Sequence, residues 1–561
     1  MRAYRPQLPR RTLRVGFLIA GPSLASWQAS VIRDTHNELG FEVFLIRQEA
    51  SELACSGGAV RRWLFEWERR IFQRSLRHTP NIAALAQPVA VEALGVDVAF
   101  SNEREAASLD LDVLVSFVEP HRLGAMRGMA RHGVWALVRL EAATGSGTSI
   151  GFWECREKRG QTGVALVDLN GIAGGTEFIA QGWYQTDLSS WTLNRLVALE
   201  QGRQLLTDAL LELAERDRAP RVQIASSDFR DVIGHGVPTT WQVAVALCRL
   251  FGRRIRASTV ELLSREQWFL RIAADTERAP LSRKSFVAHA PSQRYWWCDP
   301  FAVSRGGRKV IFAEEYDGVA GKAHITAFEM RDRKLVRRGV ILNREQHLSY
   351  PFVFEHRGEL YMIPESSANQ TVELWRCVDF PDHWEKRRDI FTGVRAADTT
   401  LLQHGGKWWL FTNIARSAQM PNHCIELFIF SADDPVEGEW RPHPYNPVVV
   451  DARRARMGGG FWHDAKGAIY RLAQHNSYIY GEHLAACKVE VLSETEYRET
   501  PVQTAEFDWL ESLYPLHHVA RSDGIVVVDS RRRVLRLPLL ARPLSRAQPS
   551  GMRRSAPTLE V

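Results

Sequence analysis

The amino-acid sequence predicts a multidomain protein in which an α/β, Rossmann-like domain is followed by an all-β, five-bladed β-propeller. Two patterns carry this prediction. Up to about residue 216, short apolar runs alternate with longer amphipathic ones, which is typical of a parallel sheet covered by helices. From about residue 265 to 540, pairs of apolar strands joined by a glycine turn recur five times. A chain of 561 residues is also too long for one hydrophobic core.

The α/β pattern begins at Leu13 with the apolar run LRVGFLIAG, and further strands are predicted in FEVFLIR and in LDVLVSFV. Residues 59–76 and 199–216 carry apolar side chains at helical spacing, and the second of these helices is expected to close the domain. Residues 21–26 lie where the first strand meets a helix and can hold an anion there. They lack the GxGxxG pattern, so a plain strand-to-helix turn is the stronger expectation.

The repeat of the second half is clearest in HLSYPFVFEHRGELYMIPES, residues 347–366, where polar residues stand at both outer ends of a strand–turn–strand unit. Its turn glycine recurs at spacings of 51, 48, 61 and 57 residues. The five turn positions are Gly307, Gly358, Gly406, Gly467 and Gly524. These spacings leave room for two more strands per repeat, and four antiparallel strands are what a propeller blade requires.

The fifth repeat is incomplete, because VLRLPLL (534–540) offers only a third strand before the chain becomes rich in Pro, Ser and Arg. The segment EQWFLRIA (266–273) opens with Glu-Gln-Trp, much like the outer strands near Trp384 and Trp440. We expect this segment to supply the missing strand and so to remove an open sheet edge.

The resulting domain boundaries are taken from these patterns and from the composition of the two ends. We predict a disordered basic tail over 1–12, the α/β domain over 13–216, a linker region over 217–264, the propeller over 265–540, and a disordered tail over 541–561.

Composition narrows the choice of partners. The net charge of +7 comes mainly from the two arginine-rich ends, so the body lacks the clustered basic face that nucleic-acid binding needs. Seven widely spaced cysteines predict neither a disulfide framework nor a zinc site, and they fit a reducing compartment. No apolar run is long enough for a membrane span. The sequence therefore predicts a cytoplasmic protein without nucleic acid, metal or cofactor, and it leaves the oligomeric state open.

Propeller topology predicts where a site would lie. In each blade the first strand starts, and the second strand ends, at one face of the domain, so polar residues at those positions should surround one channel mouth. A single polar residue there can be a simple turn cap, but polar residues at the same phase in all five repeats favour a functional mouth. The candidates are Asp299, Tyr350, Asp398, Arg456, His517, Glu314, Glu315, Glu365, Asn413, Gln474 and Asp529, with Tyr480 nearby.

The N-terminal region resembles the formyltransferase family that uses 10-formyltetrahydrofolate, most clearly in TGVALVDL (162–169) before a glycine-rich loop. The resemblance implies a polar triad of Asn, His and Asp that acts on the formyl group. The matching positions here are Ala136, Val138 and Ala173, whose side chains cannot stabilise an oxyanion or move a proton. We therefore expect a formyltransferase-like domain that is catalytically dead.

The repeat half resembles the glycoside hydrolase family 43-like module at the N-terminus of glucosamine inositolphosphorylceramide transferases, in YWWCDPFAV, AADTTLLQHGGKWWLFTN and DARRARMGGGFW. Active family 43 enzymes use an Asp base, a second Asp that tunes the acid, and a Glu acid from the fourth blade. The resemblance assigns the first two roles to Asp299 and Asp398. The fourth blade carries Arg456 where the acid is expected, and Glu365 is the natural substitute.

The sequence thus predicts a carbohydrate-active protein that processes a glycosidic or sugar-phosphate bond in amino-sugar or cell-surface glycan metabolism. Its catalytic residues would be Asp299, Glu365 and Asp398. A non-catalytic glycan-binding or scaffold module remains the main alternative, and a residual formyltransferase is a weaker one. His517 is a side chain able to help hold a water or a cation at the channel, and the sequence leaves open whether a metal sits there.

Overall fold

A computed structural model describes most of the chain in two compact units. One unit, of mixed α/β structure, comprises residues 7–254 and 417–420, and the other, mainly β, comprises 1–6, 255–416 and 421–561. The described residues are 4–5, 9–47, 59–75, 88–96, 99–118, 128–139, 150–170, 177–218, 220, 238–274, 281–331, 334–416, 425–477, 480–503, 507–522 and 524–536.

The first part of the chain alternates strands and helices, as the apolar pattern predicts. Its elements are β1 (Arg14–Ile19), β2 (Ser23–Ala25), α1 (Ser26–Arg33), β3 (Glu42–Arg47), α2 (Ala59–Ser75), β4 (Pro88–Ala90), β5 (Ala99–Asn102), α3 (Glu103–Ala106), β6 (Val113–Ser116), β7 (Val134–Arg139), α4 (Phe152–Glu157), β8 (Gln161–Asp168), β9 (Glu177–Gln185), α5 (Trp191–Arg216) and α6 (Thr240–Leu263). A π-helical turn (Asp34–Glu38) and a 3-10 turn (Val91–Ala93) follow α1 and β4.

Seven strands of the α/β unit form one sheet in the order β5-β3-β1-β6-β7-β8-β9. The first five are parallel, whereas β8 runs antiparallel to both β7 and β9. The predicted parallel sheet is therefore correct only in part. The connection between β8 and β9 is short enough to join antiparallel neighbours and leaves no room for a crossover helix, which accounts for the direction of β9 relative to β8.

Two predicted unstructured segments contain ordered parts. Helix α6 begins within the predicted linker, because Val243, Ala246, Leu247 and Leu250 recur at helical spacing and pack on Phe152. In the predicted N-terminal tail, Arg11 donates a hydrogen bond of 2.7 Å to the Asp112 carboxylate. The Tyr4 ring packs edge-on against Phe428 at 5.6 Å. The predicted tail 541–561 lies outside the described residues.

The second part of the chain is built almost entirely from strands. Its elements are β10 (Ser264–Ala274), β11 (Val287–His289), β12 (Tyr295–Arg305), β13 (Arg308–Asp317), β14 (Lys322–Arg331), β15 (Lys334–Leu342), β16 (Ser349–His356), β17 (Glu359–Ser366), β18 (Thr371–Asp379), β19 (His383–Thr392), β20 (Ala396–His404), β21 (Lys407–Ile414), β22 (Glu426–Ala432), β23 (Arg441–Pro442), β24 (Val449–Val450), β25 (Met457–His463), β26 (Ile469–His475), β27 (His483–Leu492), β28 (Tyr497–Val502), α7 (Asp508–Ser512), β29 (Val519–Ser522) and β30 (Ile525–Leu535). Two 3-10 turns lie at Arg283–Ser285 and Ser367–Asn369.

These strands form sequential antiparallel sheets that match the predicted repeats. The sheets are β12-β13-β14-β15, β16-β17-β18-β19 and β20-β21-β22-β23, with β24 also paired to β22. The fourth is β25-β26-β27-β28, joined to the fifth by one bridge between Gly459 and Val519. All five predicted turn glycines have φ between +74° and +81°, a region that favours glycine, so the repeat was located correctly by its turns.

The fifth sheet is completed by a strand from the other end of the unit. Strand β10 pairs antiparallel with β30 over its whole length, from Ser264 opposite Leu535 to Ala274 opposite Ile525. The predicted contribution of residues 266–273 to the fifth sheet is therefore confirmed, but they form its third strand next to β30 and not its outermost strand, which is β11. The expectation of a separate third strand at VLRLPLL is wrong, because Val534 and Leu535 continue β30, and β10 and β11 take the outer places.

The first strands of the five sheets lie against one another in turn. Strand β12 contacts β16, β16 contacts β20, β20 contacts β25, and β29 contacts both β25 and β12. The five-bladed arrangement itself stays a prediction. Among the described residues, no helix is both long enough and apolar enough to cross a bilayer.

Candidate functional site

Three first strands place a residue in the same unusual backbone conformation. Asp299, Tyr350 and Asp398 each lie where the strand pairing is interrupted by a bulge, and their φ angles are +49°, +41° and +52°. A left-handed backbone costs energy for any residue other than glycine. The repeated bulge therefore aims these three side chains in a way that a regular strand would not.

Asp299 belongs to a buried chain of ionisable groups with His517 and Asp529. Its carboxylate Oδ1 lies 3.0 Å from Nε2 of His517, and Oδ2 of Asp529 lies 3.2 Å from Nδ1 of the same ring. Asp529 also accepts hydrogen bonds from the backbone N–H groups of Asp299, His517 and His518. The imidazole is thus held between two carboxylates.

A second group forms around Asp398. Arg456 donates from Nε and Nη2 to its two oxygens at 2.6 and 3.2 Å, and Nε2 of Gln474 donates to it at 2.9 Å. Glu365 lies beside this pair, since its Oε2 accepts from the Asp398 backbone N–H at 3.3 Å and lies 3.7 Å from Nη2 of Arg456. All four side chains are buried.

Two predicted binding residues, Tyr350 and Asn413, hydrogen-bond to neighbouring strands of the β-rich unit. The Tyr350 hydroxyl lies 2.8 Å from Oγ1 of Thr400 and donates to the Gly459 carbonyl at 2.9 Å. Asn413 donates to the Glu426 carbonyl and accepts from the Met457 N–H. Both side chains are fully buried and engaged with the protein, so the structure places them in the framework of the cluster rather than on an open surface.

Aromatic rings lie against the charged groups. The Arg456 guanidinium stands 5.2 Å from the centre of the Tyr480 ring, and that ring lies 5.3 Å from His517. Trp268 on β10 meets His517 edge-on at 4.3 Å. At Gly481, with φ of +63°, a side chain would come within 2.9 Å of Trp268, so glycine keeps Tyr480 close to this wall.

Glu314 joins the cluster and its neighbour Glu315 does not. Glu314 accepts a hydrogen bond from the Cys298 thiol at 3.2 Å and lies 3.4 Å from His347. Glu315 points to the other side of β13, where it pairs with Arg337 at 2.8 Å. The alternation of side chains along a strand explains this separation.

The carboxyl groups differ in protonation. Burial and the nearby Asp398 charge raise the pKa of Glu365 well above its usual range, and burial with Asp299 does the same for Glu314. Burial also raises the pKa of Asp299, but the His517 charge outweighs it and the net pKa falls below the usual range. Burial raises the pKa of Asp529 to about 6. The cluster therefore combines two carboxyl groups that favour the neutral form, Glu365 and Glu314, with one that favours the ionised form, Asp299.

The cluster is rich in acid. Its carboxyl groups face two cations, Arg456 and His517. His517 counts as a cation because the charges of Asp529 and Asp299 raise the pKa of its imidazole, although burial lowers it. Such a site can transfer protons, hydrogen-bond hydroxyl groups or hold a cation. Two sets of ligand atoms lie within 4.8 Å of one another and fit a metal by their chemistry: Asp299 with His517 and Asp529, and Cys298 with Asp299 and Glu314.

Sequence reasoning found most of this cluster but missed Cys298, His518 and Trp268. His518 is fully buried between the rings of Phe301 and Tyr350, and burial lowers its pKa to about 3. Cys298 precedes the bulge residue Asp299, and Trp268 lies on the strand predicted to close the fifth sheet. A search of residues next to each bulge would have found the cysteine.

The positions that the sequence resemblance assigned to a formyltransferase triad lie in apolar surroundings where the structure describes them. Ala136 and Val138 on β7 are buried in a hydrophobic cluster with Leu114, Val134 and Val167. The third position, Ala173, lies outside the described residues.

With this geometry in place, comparison with known proteins identifies a relationship for the β-rich half. Residues 280–509 match the family described as "Glucosamine inositolphosphorylceramide transferase 1, N-terminal". This half of the chain is similar to the N-terminal module of those transferases. The resemblance predicted from sequence motifs is therefore confirmed over this range.

Two curated transferases and one solved structure illustrate the relationship. The glucosamine inositolphosphorylceramide transferase 1 of Arabidopsis thaliana is 34% identical over 210 residues, and that of Oryza sativa subsp. japonica is 31% identical over 211. Each match covers 36% of this chain, and the chain spans 27% of the length of each relative. A thermostable family-43 glycoside hydrolase aligns at 8% identity and a TM-score of 0.30, covering 39% of this chain and 82% of its own.

Proposed function

We propose that the β-rich unit is a five-bladed propeller that acts on a carbohydrate at the cluster around Asp299, Glu365 and Asp398. The successive contacts between first strands and the β10–β30 pairing support the propeller. The relatives are glucosamine inositolphosphorylceramide transferases, so an amino sugar or a cell-surface glycan is the substrate class that we favour. Because the chain spans about a quarter of those relatives, this activity need not be theirs.

The observation that carries the proposal is that two buried carboxyl groups have different partners, Asp299 the His517 imidazole and Glu365 the backbone of Asp398, and that these partners shift their pKa values in opposite directions. His517 keeps Asp299 ionised, whereas burial and Asp398 keep Glu365 protonated. A base and an acid whose pKa values are driven apart are what glycoside hydrolysis with inversion needs. The Asp299 charge also raises the pKa of Glu365, so the two groups lie within electrostatic reach of each other.

The mechanism follows from these roles. Asp299 takes a proton from a water molecule, whose oxygen then forms a bond to the anomeric carbon of the sugar. The bond from that carbon to the leaving oxygen breaks, and Glu365 gives its proton to that oxygen. Asp398 tunes Glu365 through its charge, and Arg456 holds Asp398 in place.

A glycan-binding module without catalysis is the second candidate, and one observation favours it. Arg456 occupies the fourth-sheet position where the resemblance predicts a catalytic acid, and it engages both oxygens of Asp398. A cation there weakens the influence of Asp398 on Glu365. In this case the carboxyl groups would hydrogen-bond sugar hydroxyls while the Tyr480 ring stacks on the sugar.

The test is turnover of a panel of aryl glycosides and sugar phosphates by the full chain. Asp299→Asn and Glu365→Gln should each lower the rate by about 10²–10⁴-fold, because each removes a proton-transfer group. Asp433→Asn and Glu355→Gln change exposed carboxylates in the same unit and should leave the rate unchanged. Turnover at the parent rate by both Asp299→Asn and Glu365→Gln would refute the proposal that this cluster is catalytic. Calorimetric binding of a sugar without product would support the binding module.

For the α/β unit we propose a formyltransferase-like scaffold without formyl-transfer chemistry. The burial of Ala136 and Val138 in an apolar cluster supports this, since neither position presents a polar group. Incubation with 10-formyltetrahydrofolate and an amino sugar should yield no formylated product. Folate-dependent formylation at a rate above that of a heat-inactivated sample would contradict the proposal.

A further inference from the structure

Outside the acidic cluster, two histidines and a glutamate meet on the fourth sheet. His475 ends β26 and His483 begins β27, and the two are direct partners across the strands. Their rings stack with centres 4.0 Å apart at an interplanar angle of 20°. Glu482 adds a carboxylate oxygen 4.0 Å from Nδ1 of His475. The three residues therefore converge from two adjacent strand ends.

The spacing of the ligand atoms suits a metal ion. One ligand atom from each residue lies within 4.8 Å of the others, so small side-chain rotations bring all three to one ion. Two imidazoles and a carboxylate are a ligand set that Zn²⁺ and its first-row neighbours accept, with a further position left for water. The side chains of His475 and Glu482 are 21% and 13% exposed, so an ion can enter from solvent.

The surroundings support metal ligation. The Ser477 hydroxyl lies 3.1 Å from Nδ1 and 3.4 Å from Nε2 of His475, so it is a hydrogen-bonding group beside this ring that can help to orient it. The nearby carboxylate of Asp451 is already paired with Arg453 at 2.7 Å.

We propose that His475, Glu482 and His483 form a three-ligand site for a first-row transition-metal dication, Zn²⁺ in particular. The site lies at the base of the connection between β26 and β27, which presents Tyr480 next to His517. Bound metal ties the two ends of this connection together. It thereby fixes one wall of the acidic cluster without entering it.

The first test measures Zn²⁺ binding by calorimetry to the full chain, purified without a histidine tag. We expect one Zn²⁺ per chain, and a dissociation constant at least about 100-fold weaker in His475→Ala and in His483→Ala. His383→Ala is the matched control, because His383 is exposed beside Glu385 at 3.7 Å on another sheet, and it should bind like the parent. Absence of binding by the parent, or undiminished binding by both variants, would overturn the proposal.

A second measurement needs no variant and guards against misfolding. Diethyl pyrocarbonate labels accessible histidines, and mass spectrometry locates the labels in the parent chain. Zn²⁺ should protect His475 and His483 but not His383. A parallel Zn²⁺-binding assay on Asp529→Asn separates this site from the acidic cluster. If Asp529→Asn loses Zn²⁺ binding and Zn²⁺ does not protect His475 in the parent, the ion belongs to the acidic cluster and the proposed site is refuted.

Discussion

Removing the cation that Asp398 shares with Glu365 is the most informative perturbation. Arg456 has 2% of its side chain exposed and engages both oxygens of a carboxylate that is 1% exposed. Arg456→Met keeps most of the side-chain volume and removes only the charge and the donors. Asp398 would then be a buried carboxylate without its cation.

The expected loss of unfolding free energy is about 3–5 kcal/mol near pH 7.5, the usual effect of removing one partner of a buried ion pair. The loss should shrink at lower pH. Burial raises the pKa of Asp398, and without the opposing Arg456 charge that folded-state value rises further above the unfolded one. As pH falls through the raised pKa, the folded variant takes up a proton and regains about 1.4 kcal/mol per pH unit until the unfolded state also binds it.

Urea unfolding followed by tryptophan fluorescence measures this at about pH 7.5 and about pH 5. Arg387→Met is the control, because Arg387 and Glu437 form an exposed pair at 2.6 Å whose loss should leave the unfolding free energy nearly unchanged. The double variant Arg456→Met with Asp398→Asn should recover more than half of the loss. A cost below about 1 kcal/mol for Arg456→Met, or no recovery in the double variant, would show that the pair is not what stabilises the cluster.

Two further predictions concern the same unit. Gly459→Ala should lower the free energy of unfolding of this unit by at least about 2 kcal/mol, because Gly459 has φ of +122° and an added Cβ would lie 1.9 Å from the Val519 carbonyl oxygen. Gly460→Ala is the control, because a Cβ there meets nothing within 4 Å. Thermal unfolding should show a lower midpoint for Gly459→Ala and an unchanged one for Gly460→Ala. In a pH–rate profile, turnover should fall as pH rises through the raised pKa of Glu365, which must be protonated, and should fall at low pH only as Asp299 takes up a proton. An alkaline limb that survives in Glu365→Gln, assayed with a leaving group that needs no acid, would contradict this assignment.

Much of the β-rich half could be predicted because its signals are local. A turn that needs φ above zero selects glycine, so Gly307 and Gly358 mark their hairpins in the sequence. The β10 strand was found because its Glu-Gln-Trp opening repeats that of other outer strands. The polar residues at the outer strand ends could also be predicted from the sequence, because they recur at similar distances along the chain from each turn glycine.

Contacts between repeats could not be read in this way. No local pattern in the sequence indicates that Arg456 binds Asp398 rather than a substrate. Likewise, no local pattern indicates that the Asn413 side chain hydrogen-bonds to the backbone of Glu426 and Met457. The bulge that turns Asp299 into a left-handed conformation depends on pairing with β13. The antiparallel β8 was missed because buried parallel and antiparallel strands have similar apolar runs.

The pairing of β10 with β30 has a consequence for biosynthesis. Ser264 leaves the ribosome long before its partner Leu535, and at roughly 5–20 residues per second the delay is on the order of tens of seconds. During that interval β10 offers an unsatisfied hydrogen-bonding edge while the intervening sheets can already fold. Completion of the fifth sheet is therefore tied to the synthesis of β30, and a nascent chain halted before Ile525 would expose a strand prone to pair with other molecules.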